Sequence, residues 1–401
     1  MTSHMHRFIP ALSVMLLAGA LCVTARAQEP GSRAEEEARQ QELKARTLAP
    51  YRPPWIERQM LAIEEAGGFG VARGLFVTFG DIKRGSGIAI GPAYGKTFSN
   101  GTVVLSKAVF SIRSYKLGQV SVLSPMLARK TLRFEARARW QDAPVVRLYP
   151  LGPEAPKEWS DYAETKTEVS AGATLRPVRL LRFGAGLGVE RFDTGIAEGR
   201  DPANPIFAGM PGAGADPRYI HSQVSAAIDG RDGPGYSRHG SLLGATFHDY
   251  RQQNDGPYSF QRVDGVAEQY VPILHGNWVL YFGLRGSTTT TDSGNQVPFF
   301  LLPDLGGHDL RGFGNYRFRD RHSMLLTAEY RWYAQEFLDA AIFYDAGKTV
   351  PDRKSLDFDG LKSSVGAGIR FHTPQSTALR LEVTHSREGM RLIIAFSPVG
   401  Q

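Results

Sequence analysis

The chain has 401 residues, room for two average domains or one large β domain. Glycine is abundant at 44, phenylalanine and tyrosine number 22 and 15, and the charged residues, 22% of the chain, are dispersed; this excludes a helical membrane bundle and a disordered tail. The net charge is +7, and loss of Arg7 and Arg26 with the leader described next leaves 45 of the 47 basic residues against 40 acidic ones, too small an excess to argue for nucleic acid.

Residues 1–27 read as a cleaved secretory signal. His4, His6 and Arg7 precede an apolar run from Phe8 to Val23, and Ala25-Arg26-Ala27 places small residues where signal peptidase needs them. The run contains Pro10 and falls short of the ~20 residues of a spanning helix, which argues against an uncleaved anchor. Leu21, before Cys22, stands where a lipoprotein needs a small residue, so the sole cysteine leaves with the leader.

Residues 28–68 form a separate helical extension. Glu35 with Arg39 and Glu42 with Arg46 are i,i+4 pairs that support an exposed helix weakly. "PYRPP" breaks it, and a second helix is expected from Pro54 to Ala66, with Ile56, Met60 and Ile63 on one stripe and Gly67-Gly68 as its stop. This extension is either a soluble tether or a short amphipathic helix that seals a pore or rests on a membrane face.

From residue 69 to residue 401 the period changes to two. In "KTLRFEARARWQD", Leu132, Phe134, Ala136, Ala138 and Trp140 alternate with Arg133, Glu135, Arg137, Arg139 and Gln141. The same split recurs at Leu338, Ala340, Ile342 and Tyr344 against Asp339, Phe343 and Asp345, and at Val365, Ala367, Ile369 and Phe371 against Gly366, Gly368 and Arg370. The last segment carries Met390, Leu392, Ile394 and Phe396. A soluble sandwich hides its apolar face, whereas here the polar face combines both signs of charge with glycine, as a wet barrel interior does. Segments of ~10 to 13 residues suit a tilted strand crossing a bilayer. The fold class expected is all-β: a 16-stranded antiparallel transmembrane β-barrel of the outer membrane, in contact with the lipid bilayer.

Sixteen segments are marked, near 71–80, 86–96, 101–113, 117–124, 130–141, 165–176, 179–192, 219–229, 238–250, 258–272, 277–287, 321–333, 338–347, 362–372, 378–386 and 389–397. With both termini on the periplasmic side, odd-to-even connections face outward. The longest gap, Thr288 to Asp320, is then the sixth external loop, and it holds "GGHDLRGFG". By parity Glu329 and Asp345 point inward from the twelfth and thirteenth strands.

"LPDLGGHDLRGFGNYRFRDRHSMLLTAEYRW", "FYDAG" and "SVGAGIRF" together resemble the C-terminal half of the barrel-assembly superfamily of outer membranes. This is the Omp-eighty-five or bacterial surface antigen type, which includes the Bam and Tam insertases and the filamentous-haemagglutinin secretors. The resemblance is strong from about 300 to 396 and weaker from about 69 to 300, where "DGPGYSRHG" resembles the family's Asp…Pro…Gly strand-turn signature. It implies an inserted sixth loop whose (Val/Leu/Ile)-Arg-Gly-(Phe/Tyr) tip, here Leu310, Arg311, Gly312 and Phe313, meets acidic wall residues. Glu329, Asp345 and the following Gly347 complete this structural lock, with Gly366, Gly368 and Arg370 on the lumen wall. A guanidinium suits the role because its planar fork takes a carboxylate bidentately and stays charged when partly dehydrated. An ordinary mobile loop with a solvated arginine is the alternative on spacing alone. "RLIIAF" resembles the C-terminal strand signal, ending at Phe396, that the outer-membrane assembly machinery reads, although "SPVGQ" follows it. The resemblance also implies N-terminal POTRA modules in the members that insert proteins, and residues 28–68 are too few for one, so the chain resembles the branch that lacks them.

Other constellations fail on chemistry. "GYSRHG" places His239 where the hydrolase elbow needs its last glycine, so a hairpin turn is expected there. "GGHDLRGFG" lacks the lysine of a phosphate loop. No catalytic, cofactor or metal residue is assigned. Two functions stay open: an assembly or transport barrel that handles client polypeptides or lipids without catalysis, and a passive or gated pore in which Arg311 pins a plug loop. An outer-membrane phospholipase would need a motif that the chain lacks.

Overall fold

The computed structural model describes residues 74–396, apart from 200–204, 234, 275–276, 336 and 373–376. The signal at 1–27 and the extension at 28–68 lie outside the described residues. Sixteen strands form one antiparallel sheet, each paired with its neighbour in sequence. The first eight are β1 (Gly74–Gly80), β2 (Ala89–Thr97), β3 (Val103–Ser111), β4 (Lys116–Leu123), β5 (Leu132–Leu148), β6 (Ser160–Leu175), β7 (Leu181–Ile196) and β8 (Arg218–Asp229). They are followed by β9 (Gly240–Gln252), β10 (Phe260–Ile273) and β11 (Trp278–Thr290). A two-stranded ribbon of β12 (Asp304–Leu305) and β13 (Phe318–Arg319) interrupts the series inside the sixth loop. The sheet resumes with β14 (His322–Gln335), β15 (Leu338–Val350), β16 (Lys362–His372), β17 (Thr377–Ser386) and β18 (Gly389–Phe396).

The sheet is rolled. Glu154, in the β5–β6 connection, pairs with Lys362 of β16 and with Arg387 of the β17–β18 turn, so one loop reaches from the early strands to the last ones. No ladder joins β1 to β18 among the described residues. Alternation dictates the two faces. Leu187 and Val189 are each 59% exposed on the outside, while Glu190 between β7 neighbours is buried within. Outward Leu392 is 68% exposed, as a side chain meant for lipid would be when no lipid is present.

Two features depart from the sequence reading. β5 runs seven residues past the expected end at 141, and β6 begins five residues before 165. The cause is a bulge. The register shifts between Ala143 and Val146, and Pro144, which has no N–H to give a ladder, sits in the extra stretch. The second departure concerns the interior, which is not polar throughout. At the end that carries the sixth loop, Val146, Leu148, Tyr162, Phe192 and Tyr219 point inward and pack on Phe299, Leu302 and Tyr316 of that loop. Phe299 is fully buried and meets Tyr162 edge to face at 4.8 Å. Phe299→Ala is expected to cost ~3–5 kcal/mol by opening a cavity in this cap. The check is the temperature at which the compact band disappears on unheated gels, which should fall clearly below that of Leu187→Ala on the outer face.

Candidate functional site

The tip of the sixth loop enters the roll because its backbone can turn sharply and its side chains find matched partners. Gly306 and Gly307 adopt φ of +123° and +71°, which side-chain-bearing residues rarely take. They start a turn closed by the N–H of Gly307 donating to the carbonyl of Phe313. Leu310 and Phe313 are fully buried with Leu305, Phe318 and Leu325, and the rings of Phe313 and Phe318 meet at 5.1 Å.

Arg311 is 2% exposed. Its Nε and Nη2 donate to the two oxygens of Asp345 at 2.7 and 2.8 Å, a bidentate fork. Its Nη1 lies 2.9 Å from Glu329 Oε1 and donates to Glu382 Oε1 at 3.1 Å. The guanidinium carbon stands 3.4 Å over the centre of the Phe343 ring. Thr327 donates its hydroxyl to Asp345 at 2.9 Å. Arg370 grips Glu329 with two bonds of 2.9 and 2.8 Å and reaches Glu382 at 3.1 Å, and Arg331 donates to Glu329 at 2.7 Å.

The glycines around this cluster leave room for its members. A Cβ on Gly312 would stand 2.6 Å from Ser364 Cβ and 2.8 Å from Ser386 Cβ, and the Ser386 hydroxyl donates to the Gly312 carbonyl at 2.7 Å. A Cβ on Gly366 would strike the Phe343 ring at 2.4 Å, and one on Gly368 would come within 2.7 Å of Glu382 Cγ. The two wall glycines thus make space for the ring beneath Arg311 and for one of its carboxylates. Gly347 does the same for Leu305 of the loop, whose Cδ1 a Cβ there would approach to 3.0 Å.

The structure brings together Leu310, Arg311, Gly312, Phe313, Glu329, Asp345, Gly347, Gly366, Gly368 and Arg370, all named from sequence. Phe396 ends β18, well apart from them in the chain. Glu382, Arg331, Phe343 and Ser386 also join the cluster, and none of them was assigned to it from sequence. Parity on β17 was the available signal, since Arg380, Glu382, Thr384 and Ser386 share the inward face. The shaft of the loop is tied as well. Arg84 of the β1–β2 connection pairs with Asp304 and Asp309, and Arg317 donates to Glu388 at 2.8 Å and to the Ala155 carbonyl at 2.8 Å. Elsewhere on the inner wall, Glu190, His221, His248 and Asp264 form a chain of contacts of 2.9, 3.0 and 3.1 Å across four neighbouring strands. Among the described residues no group of three or more histidine, cysteine or acidic side chains is arranged to hold a metal.

A rolled sixteen-stranded sheet with an apolar exterior and an inserted, ion-paired sixth loop defines a class of outer-membrane barrels. The chain belongs to the Omp85 superfamily, whose domain matches residues 106–386. Among solved structures it is similar to BamA from Haemophilus ducreyi lacking POTRA domains 1–3, at 13% identity and a TM-score of 0.59, over 82% of this chain and 70% of that one. It is also similar to CdiB from Escherichia coli, at 10% identity and a TM-score of 0.54, over 80% of this chain and 60% of that one. No curated protein matches by sequence. At these identities the structural likeness speaks for the fold, and the family match makes this an Omp85-type outer-membrane barrel.

The crowding at Gly312 gives a direct prediction. Gly312→Ala should unseat the tip and make residues 291–321 cleavable by added protease, and Ser364→Gly with Ser386→Gly should restore protection. An alanine variant as resistant as the parent would show that the seat tolerates a Cβ.

Proposed function

We propose that this chain is an exported outer-membrane barrel that handles polypeptide or lipid without catalysis. In this reading its sixth loop is held inside by a lock of Leu310, Arg311, Gly312, Phe313, Glu329, Asp345 and Gly347, above a wall of Gly366, Gly368 and Arg370. The observation that carries the reading is the buried Arg311 cluster inside a sheet of the Omp85 superfamily. The edges support a lateral route, since among the described residues no ladder joins β1 to β18. Lipid supplies no hydrogen bonds to an open strand edge, so a client strand that pairs there gains what the bilayer withholds. Phe396 is the residue we assign to recognition by the assembly machinery.

A gated pore is the second reading. It is favoured by an interior cavity of about 420 Å³ lined by charges that include Arg137, Lys166, Glu168 and Arg262.

Deleting the gene tests the first reading. Loss of other barrels, or of lipid asymmetry, is the expected result, and an unchanged outer-membrane proteome with normal asymmetry would sink it. The lock is tested by a double-mutant cycle. Arg311→Ala should cost ~3–5 kcal/mol, because it leaves the buried Asp345 without its cation, and Asp345→Ala should cost less, because Arg311 keeps Glu329 and Glu382. The double variant should cost well below their sum, with a coupling of ~1–3 kcal/mol. The measurement is the denaturant midpoint of the folded barrel in detergent, and strict additivity would refute the lock.

A further inference from the structure

The described residues of the connection between β8 and β9, 230–233 and 235–239, reach out of their own part of the wall. The Tyr236 hydroxyl donates to Asp339 Oδ2 at 2.6 Å, and its ring stacks on His372 with centroids 3.8 Å apart and planes within 10°. The Arg238 guanidinium lies over the Tyr333 ring at 4.8 Å, and the N–H of Thr377 donates to the Gly235 carbonyl at 3.3 Å. At the base, Arg231 grips Asp229 with bonds of 2.9 and 3.0 Å and Glu268 with one of 3.1 Å. The Asp232 carboxylate accepts from the N–H groups of Gly233, Arg238 and His239, which fixes the turn as one body.

Three strands, β10, β11 and β14, separate β9 from β15, and β16 and β17 lie further on. At ~4.8 Å per strand the path along the wall from β9 to β16 is ~24 Å. A short turn can touch Asp339, His372 and Thr377 only by leaning across the opening. All of these partners lie at the same end of the roll: Tyr333 is near the end of β14, Asp339 near the start of β15, His372 at the end of β16 and Thr377 at the start of β17. That end is opposite the sixth loop.

We propose that the described residues of this turn, 230–233 and 235–239, are a gate that closes the mouth opposite the sixth loop, with Tyr236 as its latch and the barrel interior as the route it controls. The partners suit reversible opening. When Tyr236 leaves, Asp339 still has the His372 ring beside it, with Nε2 3.3 Å from Oδ1 and no hydrogen bond between them, and Arg238 gives up a ring face. Withdrawal of Arg311 would instead strip a guanidinium from three buried carboxylates at once. The turn is therefore the closure of the two that releases more readily. This inference rests on the barrel reading above, and it adds a controlled passage through the interior.

The test is conductance of the full chain in planar bilayers. Tyr236→Phe with Arg238→Ala should raise the open probability about tenfold or more over the wild type, since it removes a hydroxyl-to-carboxylate bond and a ring contact. Gly235→Cys with Thr377→Cys, in a chain whose sole native cysteine is Cys22, should be silent when oxidised and regain wild-type openings on reduction. Equal open probabilities in the wild type and the release variant, whether both silent or both open, overturn the gate. So does an oxidised cysteine pair that conducts like its reduced form, which decides the matter if the release variant fails to fold. A deletion strain with normal outer-membrane barrels and lipid would sink the assembly reading alone, and equal conductances would sink the gate alone.

Discussion

Arg311 sits out of water between three carboxylates, and that placement constrains both the loop that carries it and the wall that receives it. A lone charge moved from water to such a site costs several kcal/mol, so it persists only where partners are fixed in advance. Here the wall is organised before the loop arrives. Glu329 is held by Arg370 and Arg331, and Glu382 by Arg370, so each carboxylate keeps a cation whether or not Arg311 is seated. Asp345 differs. Its two oxygens take the bidentate fork of Arg311 and the hydroxyl of Thr327. The Arg311–Asp345 pair is thus where loop insertion and wall stability depend on each other most directly, and Glu329 and Glu382 serve to orient the guanidinium.

Charge matching alone would not seat the tip, because the inner wall must also be thin where the loop presses on it. Phe343 turns its face to the guanidinium, and it can do so because Gly366, its partner across the β15–β16 ladder, offers no side chain. Gly312 then lies close enough to Ser364 and Ser386 for its carbonyl to be bound. The polar and the steric requirements meet in the same few residues. The tip and the two-pair ribbon of β12 with β13 act together with the shaft's ion pairs and the apolar cap to hold a loop of some thirty residues.

Much of this was legible from sequence, for a physical reason. Side chains on a strand alternate with period two, so parity assigned Glu329, Asp345 and Arg370 to the interior without any knowledge of their contacts. The longest gap between alternating segments then placed Arg311 in the sixth loop. What parity cannot give is reach across the roll. Parity on β17 turns Glu382 inward, yet nothing in one-dimensional spacing says that a residue three strands beyond β14 closes on the same guanidinium. The ends of β5 and β6 were missed because Pro144 reads as a strand stop, although a bulge tolerates it. The apolar cap was missed for a related reason. The inward face was expected to be polar throughout, and Val146, Leu148 and Phe299 become core only when loop and strand ends meet.

The sixth loop also bears on the seam. Arg84 comes from the β1–β2 connection and pairs with Asp304 and Asp309, while Glu388 comes from the β17–β18 turn and pairs with Arg317. The two edge strands share no ladder among the described residues, but at the loop end both are tied to the same loop, which is in turn anchored by Arg311. Separating β1 from β18 at that end must break ion pairs, one of them with a buried guanidinium, because Arg317 is 2% exposed. A firmly seated loop therefore ties both edges of the sheet to one body at that end, whatever the seam does elsewhere.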